Sequence, residues 1–395
     1  MENKKQYVIV FVITTVAVIV YLSCHHFNLS YPVIFNEDKA IDNFIKSVAL
    51  EGNKVEIGMF VTCEYNIQNI IIFFLIKILG NTWAGINVYY IFSFFMISFS
   101  MYCLLKKLEI PIEISVGLSV LSAFLPFHID RGEGQIMTSN FFLVPLFLCM
   151  FYDLVYYKKL ELHHKRYIVL VFLAPFIDIR ISIMTVLLFI IFLVQCYNEK
   201  NVKSIIYYFT PLFLVTFIVG ILSSTLKVSD IELAKEEGMR ILDMVMPMRY
   251  HISGRLSDIR LEYDILLSAH GESGLNSLGV LFSIGFVCMM LGVFFEWKKD
   301  RRIAWMGMIS IIVILIAGIC GIGSVIEYLG INITYWSRMA VYIAVCSVVV
   351  VGILAGHIVR WIESRNDKKY LLTCNVAIYL VFVLEFFELI LRRNM

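Results

Sequence analysis

Blocks of about twenty residues with hardly a charge recur along this 395-residue chain. In hydrocarbon, where water cannot satisfy backbone N–H and C=O groups, such blocks are stable only as helices that hydrogen-bond within themselves. Hydrophobic residues make up 60% of the chain and charged ones 16%, and the mean hydropathy is +0.82. The fold class read from this is an all-α polytopic membrane protein, one integral-membrane domain over residues 1–395. Spans are expected at residues 6–24, 86–105, 112–127, 140–157, 167–177, 181–197, 204–225, 276–296, 303–325, 338–359 and 370–391, about eleven in all, two of them short. The opening "MENKKQYVIVFVITTVAVIVYLSCHH" has a basic flank and no small-residue cleavage site, so it reads as an uncleaved first span. The nine cysteines fall almost all inside apolar runs and show neither a disulfide framework nor zinc spacing. A net charge of +2 is too balanced for a nucleic-acid partner.

The run "IQNIIIFFLIKILG" (67–80) is short for a span and carries Lys77. If it lies in the interface without crossing, then Lys4-Lys5, Lys106-Lys107, "KKLELHHKR", "NEKNVK", "EWKKDRR" and "RWIESRNDKK" all fall on the cytoplasmic side. That arrangement puts the N-terminus inside, and all five tryptophans at span ends. It also leaves two long outer segments: 25–84, which includes the interfacial run, and 226–275. A chain whose non-membrane mass lies outside is expected to work there, in a cell membrane of bacterial type. The first half of the second loop, with Leu233, Ile241, Leu242, Val245 and Met246, reads as an amphipathic helix along the membrane surface that stops at Pro247.

Four places hold charges that need a reason. In "YPVIFNEDKAIDNFIKS", Glu37 and Asp38 stand near a membrane surface, where desolvation fits a carboxylate to act as a general base; the plainer reading is a solvated loop with Asn36 capping a helix. "LPFHIDRGEGQIMTSN" packs His128, Asp130, Arg131 and Glu133 between apolar runs. Arg131 suits a phosphate, and Asp130 or Glu133 a base, a sugar hydroxyl or a divalent ion; a tight turn between spans would want glycines and charges anyway. Asp178 and Arg180 lie about 16 Å past a basic flank, within hydrocarbon depth, and read either as a functional site or as an ion pair closing a broken hairpin. Arg249, His251, Arg255 and Arg338 lie on the outer side, where guanidiniums suit a lipid-linked phosphate or simply snorkel. Glu388 is set one turn before Arg392, as a helix-end ion pair.

The acidic first loop, "GNTWAGINVYYIF", "LKKL", "AFLPFHIDRGEG" and "NFFLVPL" together resemble the multi-spanning type C glycosyltransferases, and among them a bacterial group labelled sugar translocase or membrane glycosyltransferase. The resemblance covers residues 36–150 best. It implies a polyprenyl-phosphate-linked sugar as donor and an envelope glycan or lipid as acceptor, with membrane lipid around it. It places Asp38 or Glu37 at the catalytic acidic position, and His128, Arg131, Gly132, Glu133 and Gly134 in the turn after span three. The family's turn continues with a histidine where this chain has Gln135, which neither titrates nor ligates well, so no cofactor is expected and metal independence is favoured. The expected reaction has Asp38 deprotonating the acceptor, Arg131 with Arg338 or Arg255 holding the leaving phosphate, and Asp130 or Glu133 orienting a hydroxyl. Its rivals are a polysaccharide repeat-unit polymerase and a lipid-linked sugar flippase or transporter.

Overall fold

The computed structural model describes residues 2–25, 27–31, 66–132, 135–156, 164–195, 202–222, 238–248, 251, 253–266, 275–295, 300–319, 321–323, 336–365 and 368–391. Among them are helices and 3-10 turns and no strand; one isolated bridge pairs Met239 with Gly318. In chain order the helices begin α1 (Glu2–Cys24), α2 (Ile67–Leu79), α3 (Thr82–Lys107), α4 (Ile112–Ser122) and two single turns, α5 (Pro126–Ile129) and α6 (Ile136–Ser139). They continue α7 (Leu143–Tyr156), α8 (His164–Ile177), α9 (Ile179–Gln195), α10 (Val202–Leu222) and α11 (Gly254–Leu266), and end α12 (Val280–Phe295), α13 (Arg301–Ala317), α14 (Ala340–Glu363) and α15 (Lys368–Ile390). A helix stands in every stretch expected to span. Among the described residues, five segments are long and apolar enough to cross a membrane by length and composition: Lys4–Cys24, Thr82–Lys107, Ile112–Ile129, Trp336–Glu363 and Tyr370–Ile390. Such helices mark a membrane protein, and α9, α12 and α13, at 16 or 17 residues, are apolar but shorter.

α3 serves as a ruler, because its 26 residues extend about 39 Å. Around its Lys107 end the ionic groups of several helices meet. Asp153 of α7 accepts from Lys107 and from the Tyr167 hydroxyl of α8. Lys106 and Tyr102 both donate to Gln6 of α1, at 2.8 Å. Asp300 caps α13 through the Arg302 N–H at 2.9 Å and pairs with the Arg302 guanidinium at 2.7 Å and His357 at 3.1 Å. Burial opposes ionisation of that carboxyl, but the Arg302 hydrogen bonds and charge prevail and hold it below the usual range.

α8 and α9 form a hairpin. The Tyr167 ring on α8 meets Tyr208, and the Phe189 ring on α9 meets the adjacent Phe209, each pair at 6.2 Å, so both helices reach the same level of α10. α8 therefore climbs to Ile177 and α9 returns, with Asp178 at the tip, about 16 Å along the helix from Tyr167. α14 runs through the core with nearly every residue from Ala340 to Ile353 buried. α12 approaches it closely at Gly285, where a Cβ would lie 2.8 Å from the Ser347 carbonyl oxygen.

The structure adds detail to three expectations. α2 turns at Gly80, a left-handed residue (φ 67°) whose N–H caps the Ile76 carbonyl at 2.8 Å, and folds back along α3; a Cβ on Gly85 would lie 2.7 Å from the Ile76 nitrogen. It turns Gln68 and Asn69 inward and leaves Ile70, Ile71, Phe74, Lys77 and Ile78 exposed. In the second loop, where residues 223–237 lie outside the described set, Met239 is bridged to Gly318 and a 3-10 turn (Ile241–Met244) follows in place of a continuous amphipathic helix. Asp243 is drawn inward by Arg260, which exposes Ile241 and Leu242 beside it. Trp305 and Trp336 are packed inside the protein, although both sit near helix starts; Trp297 lies outside the described residues.

Replacing Gly285 with leucine pushes a side chain into the Ser347 carbonyl, and overpacking of this kind costs about 1–3 kcal/mol. The Tm of the detergent-solubilised Gly285→Leu variant should fall by several degrees; an unchanged Tm would contradict the close α12–α14 contact.

Candidate functional site

The turn that follows α4 is built by its own sequence. Leu125, held extended by the following proline, starts α5, and Pro126 occupies its first turn. Gly132 takes φ 47°, which lets the chain reverse there. His128 is wholly buried. Its Nδ1 lies 2.6 Å from the Ala123 carbonyl oxygen, which only accepts, so Nδ1 carries the proton; Nε2 is 2.7 Å from the Ser93 hydroxyl of α3. Phe94 meets the ring edge to face at 4.4 Å. Both ring nitrogens are taken by the protein, so His128 fastens the turn to α3, fourteen residues or about 21 Å along the helix from Lys107. The turn is thus recessed well below either end of α3.

Into this recess comes the α8–α9 tip. Asp178 is the N-cap of α9: its Oδ1 accepts from the N–H groups of Arg180 (2.9 Å) and Ile181 (3.1 Å). Its own N–H donates to the Ala174 carbonyl at 2.9 Å, which completes α8. Asp178 therefore meets Arg180 through the backbone rather than through an ion pair. The Arg180 guanidinium turns instead to the Thr138 hydroxyl at 3.4 Å, and Arg338, on the 3-10 turn before α14, donates to the same hydroxyl at 3.1 Å. Phe127, Thr138, Asp178, Arg180, Ile181, Arg338, Met339 and Val341 line one narrow crevice whose volume, about 10 Å³, is room for a single water. Arg180, Arg338 and Asp178 thus bring charged groups to a crevice with otherwise largely apolar walls. Tyr342 holds the floor, donating to the Ile181 carbonyl at 3.1 Å and sharing a 2.7 Å hydrogen bond with Thr185.

A buried polar network lies against this tip. Gln68 of α2 donates to the Ile177 carbonyl at 2.8 Å, the Tyr89 hydroxyl donates to Gln68 at 2.7 Å, and Asn140 donates to Tyr89 at 3.1 Å. Asn87, on the same part of α3, donates to the Leu29 and Tyr31 carbonyls at 3.0 and 2.7 Å. Leu29, Tyr31 and Gln68 are thereby tied to α3 within one turn of each other. Thr138, Gln68, Tyr89 and Asn140 were not singled out in the sequence; they are uncharged, and no local signal marks a threonine as the meeting point of two arginines.

The other candidates fall elsewhere. Arg131 is fully buried, its guanidinium 3.9 Å from the centre of the Phe127 ring and donating to the Leu275 carbonyl and Asn276 at 3.2 and 3.1 Å; it ties the turn to the segment before α12. Asp130 is buried at the end of α5. His251 lies 3.4 Å from Glu388, which is therefore paired with the second loop, and Arg255 is exposed on α11. Glu37, Asp38, Glu133, Arg249 and Arg392 lie outside the described residues. No group of three or more His, Cys, Asp or Glu side chains among the described residues is placed to hold a metal ion. Asp243 and Arg260, both almost fully buried, pair at 3.1 Å, and Arg260 also meets Asp264 at 3.0 Å. Burial pushes the Asp243 carboxyl up to about 6 in spite of Arg260 and Arg240.

Because Asp178 caps a helix, Asp178→Ala should cost about 1 kcal/mol and Asp178→Asn much less. The Arg180 charge still attracts the Asp178 carboxylate across the cap, so the separate losses of Asp178→Ala and Arg180→Ala in thermal unfolding should sum to more than the loss in the double variant; strict additivity would contradict that coupling. For Asp243 the folded chain holds a proton more tightly than the unfolded one, so its contribution is complete below about pH 4 and is lost as pH rises through about 6. Hydrogen exchange over residues 241–266, corrected for intrinsic rates, should be slower at pH 5 than at pH 7, and Asp243→Asn should remove the difference.

Comparison of the chain with known protein families, with curated proteins and with solved structures finds no match in any of the three.

Proposed function

We propose that the chain is a multi-pass membrane glycosyltransferase that moves a sugar from a polyprenyl-phosphate-linked donor to an acceptor on the outer face, an envelope glycan or lipid. The observation that carries the proposal is the convergence of Arg180 and Arg338 on Thr138 in a recessed, apolar-walled crevice. In the reaction an acceptor O–H loses its proton to Asp38, and its oxygen attacks the anomeric carbon. The bond from that carbon to the phosphate oxygen breaks, and its electron pair leaves with the lipid phosphate. The negative charge that builds on this phosphate is met by Arg180 and Arg338, a form of catalysis that needs positive charge fixed in advance in a site of low dielectric. Arg180 takes the phosphate-holding part first given to Arg131, because Arg131 is already held against Phe127 and Asn276. Asp178 is occupied as a cap, and the base is assigned to the first loop.

The test is transfer of labelled sugar from a polyprenyl-phosphate donor in proteoliposomes at matched protein levels. Arg180→Ala, Arg338→Ala and Asp38→Asn should each lower turnover by about two orders of magnitude or more, the scale for losing such groups. Unchanged transfer in the two arginine variants would remove the crevice as the site. Donor crossing the bilayer without transfer would identify a flippase, and chain elongation from repeat units a polymerase.

A further inference from the structure

We infer that α2 is a re-entrant half-helix whose outward face is a lipid-contact surface, with its Gln68 end deep in the hydrocarbon and its Gly80 end near the surface. The exposed side of α2 carries Ile70, Ile71, Phe74 and Ile78, and the last two are 59% and 77% exposed. The polar residues Gln68 and Asn69 are buried on the opposite side. A helix lying between water and lipid turns its polar side to water; a helix surrounded by hydrocarbon and protein turns it inward. At thirteen residues α2 measures about 20 Å, too short to cross about 30 Å of hydrocarbon.

A helix end within hydrocarbon has to satisfy its first N–H groups without water. At the buried end Asn66 supplies one of these partners, its Oδ1 accepting from the Gln68 N–H at 2.8 Å, while the first i→i−4 bond runs from the Ile70 N–H to the Asn66 carbonyl at 3.4 Å. The Gln68 side chain is itself held by Ile177 and Tyr89. The opposite end carries Lys77, which is exposed, with its Nζ 5.5 Å from the Phe73 ring centre, a stem along apolar surface and a charge near the exit. The occupant of the outward face is therefore the acyl-chain region of the bilayer, and α2 becomes the wall between that region and the hairpin tip.

Single cysteines at Ile71, Phe74 and Ile78, in the full chain lacking other accessible thiols, are labelled with a nitroxide and reconstituted in phosphatidylethanolamine–phosphatidylglycerol nanodiscs. Seven residues of helix correspond to about 10 Å of depth. Collision with oxygen relative to a water-soluble nickel chelate should be highest at position 71, intermediate at 74 and lowest at 78, with a cysteine at the exposed Asp258 as the aqueous reference. Equal ratios at the three positions would mean a helix flat in the interface, a maximum at 74 a crossing helix, and ratios like that at 258 a water-facing surface; each overturns the inference. The same positions carrying bimane and read by quenching from chain-labelled lipid give a second measurement if a nitroxide perturbs packing.

Discussion

The Asp178 carboxylate, shared between two amides at the start of α9, is the contact on which the rest of the structure depends. It allows one helix to end and another to begin within a single residue, deep between apolar elements, with the Arg180 and Ile181 amides satisfied by the carboxylate. Once the chain breaks there, Arg180 is carried on a rigid first turn and Ile181 presents its carbonyl to Tyr342. A simple kink would leave the guanidinium no fixed direction. The hairpin instead brings it to Thr138, where Arg338 arrives from the start of the most buried helix of the molecule.

Around that tip several structural residues fix positions rather than offer chemistry. His128 binds the turn to α3, Arg131 binds it to the segment before α12, and Gln68, Tyr89 and Asn140 lock α2 against the end of α8. Each is a polar group buried with protein partners, as hydrocarbon surroundings require. A frame of this kind holds Arg180 and Arg338 in fixed directions, which is the basis of their proposed role; a phosphate entering between them has to widen the crevice.

Much of the helical pattern was legible from apolar run length, because backbone satisfaction in hydrocarbon leaves few options; the positions of α1, α3 and α14 follow directly. The hairpin break was legible too, since Asp178 and Arg180 interrupt an otherwise clean run. What could not be read was direction. An aspartate and an arginine two apart look like an ion pair, whereas the helix start between them takes the carboxylate and frees the guanidinium for another partner. Arg131 looked like a phosphate ligand because arginines next to glycines in a turn often are, but burial against Phe127 is decided by α12, far along the chain. α2 looked interfacial by length; which face holds its two polar residues depends on α3 and α8. The inward Asp243 follows from Arg260, seventeen residues on, for the same reason.

The central claim, that the crevice receives a lipid-linked phosphate, is tested most directly by photocrosslinking. A short-chain prenyl phosphate with a diazirine next to the phosphate, irradiated with the reconstituted protein and mapped by mass spectrometry, should label the crevice walls at Phe127, Ile181, Met339 or Val341, and unlabelled polyprenyl phosphate should compete. Labelling that avoids all four, or that persists unchanged when Arg180 and Arg338 are both replaced by glutamine, would contradict it.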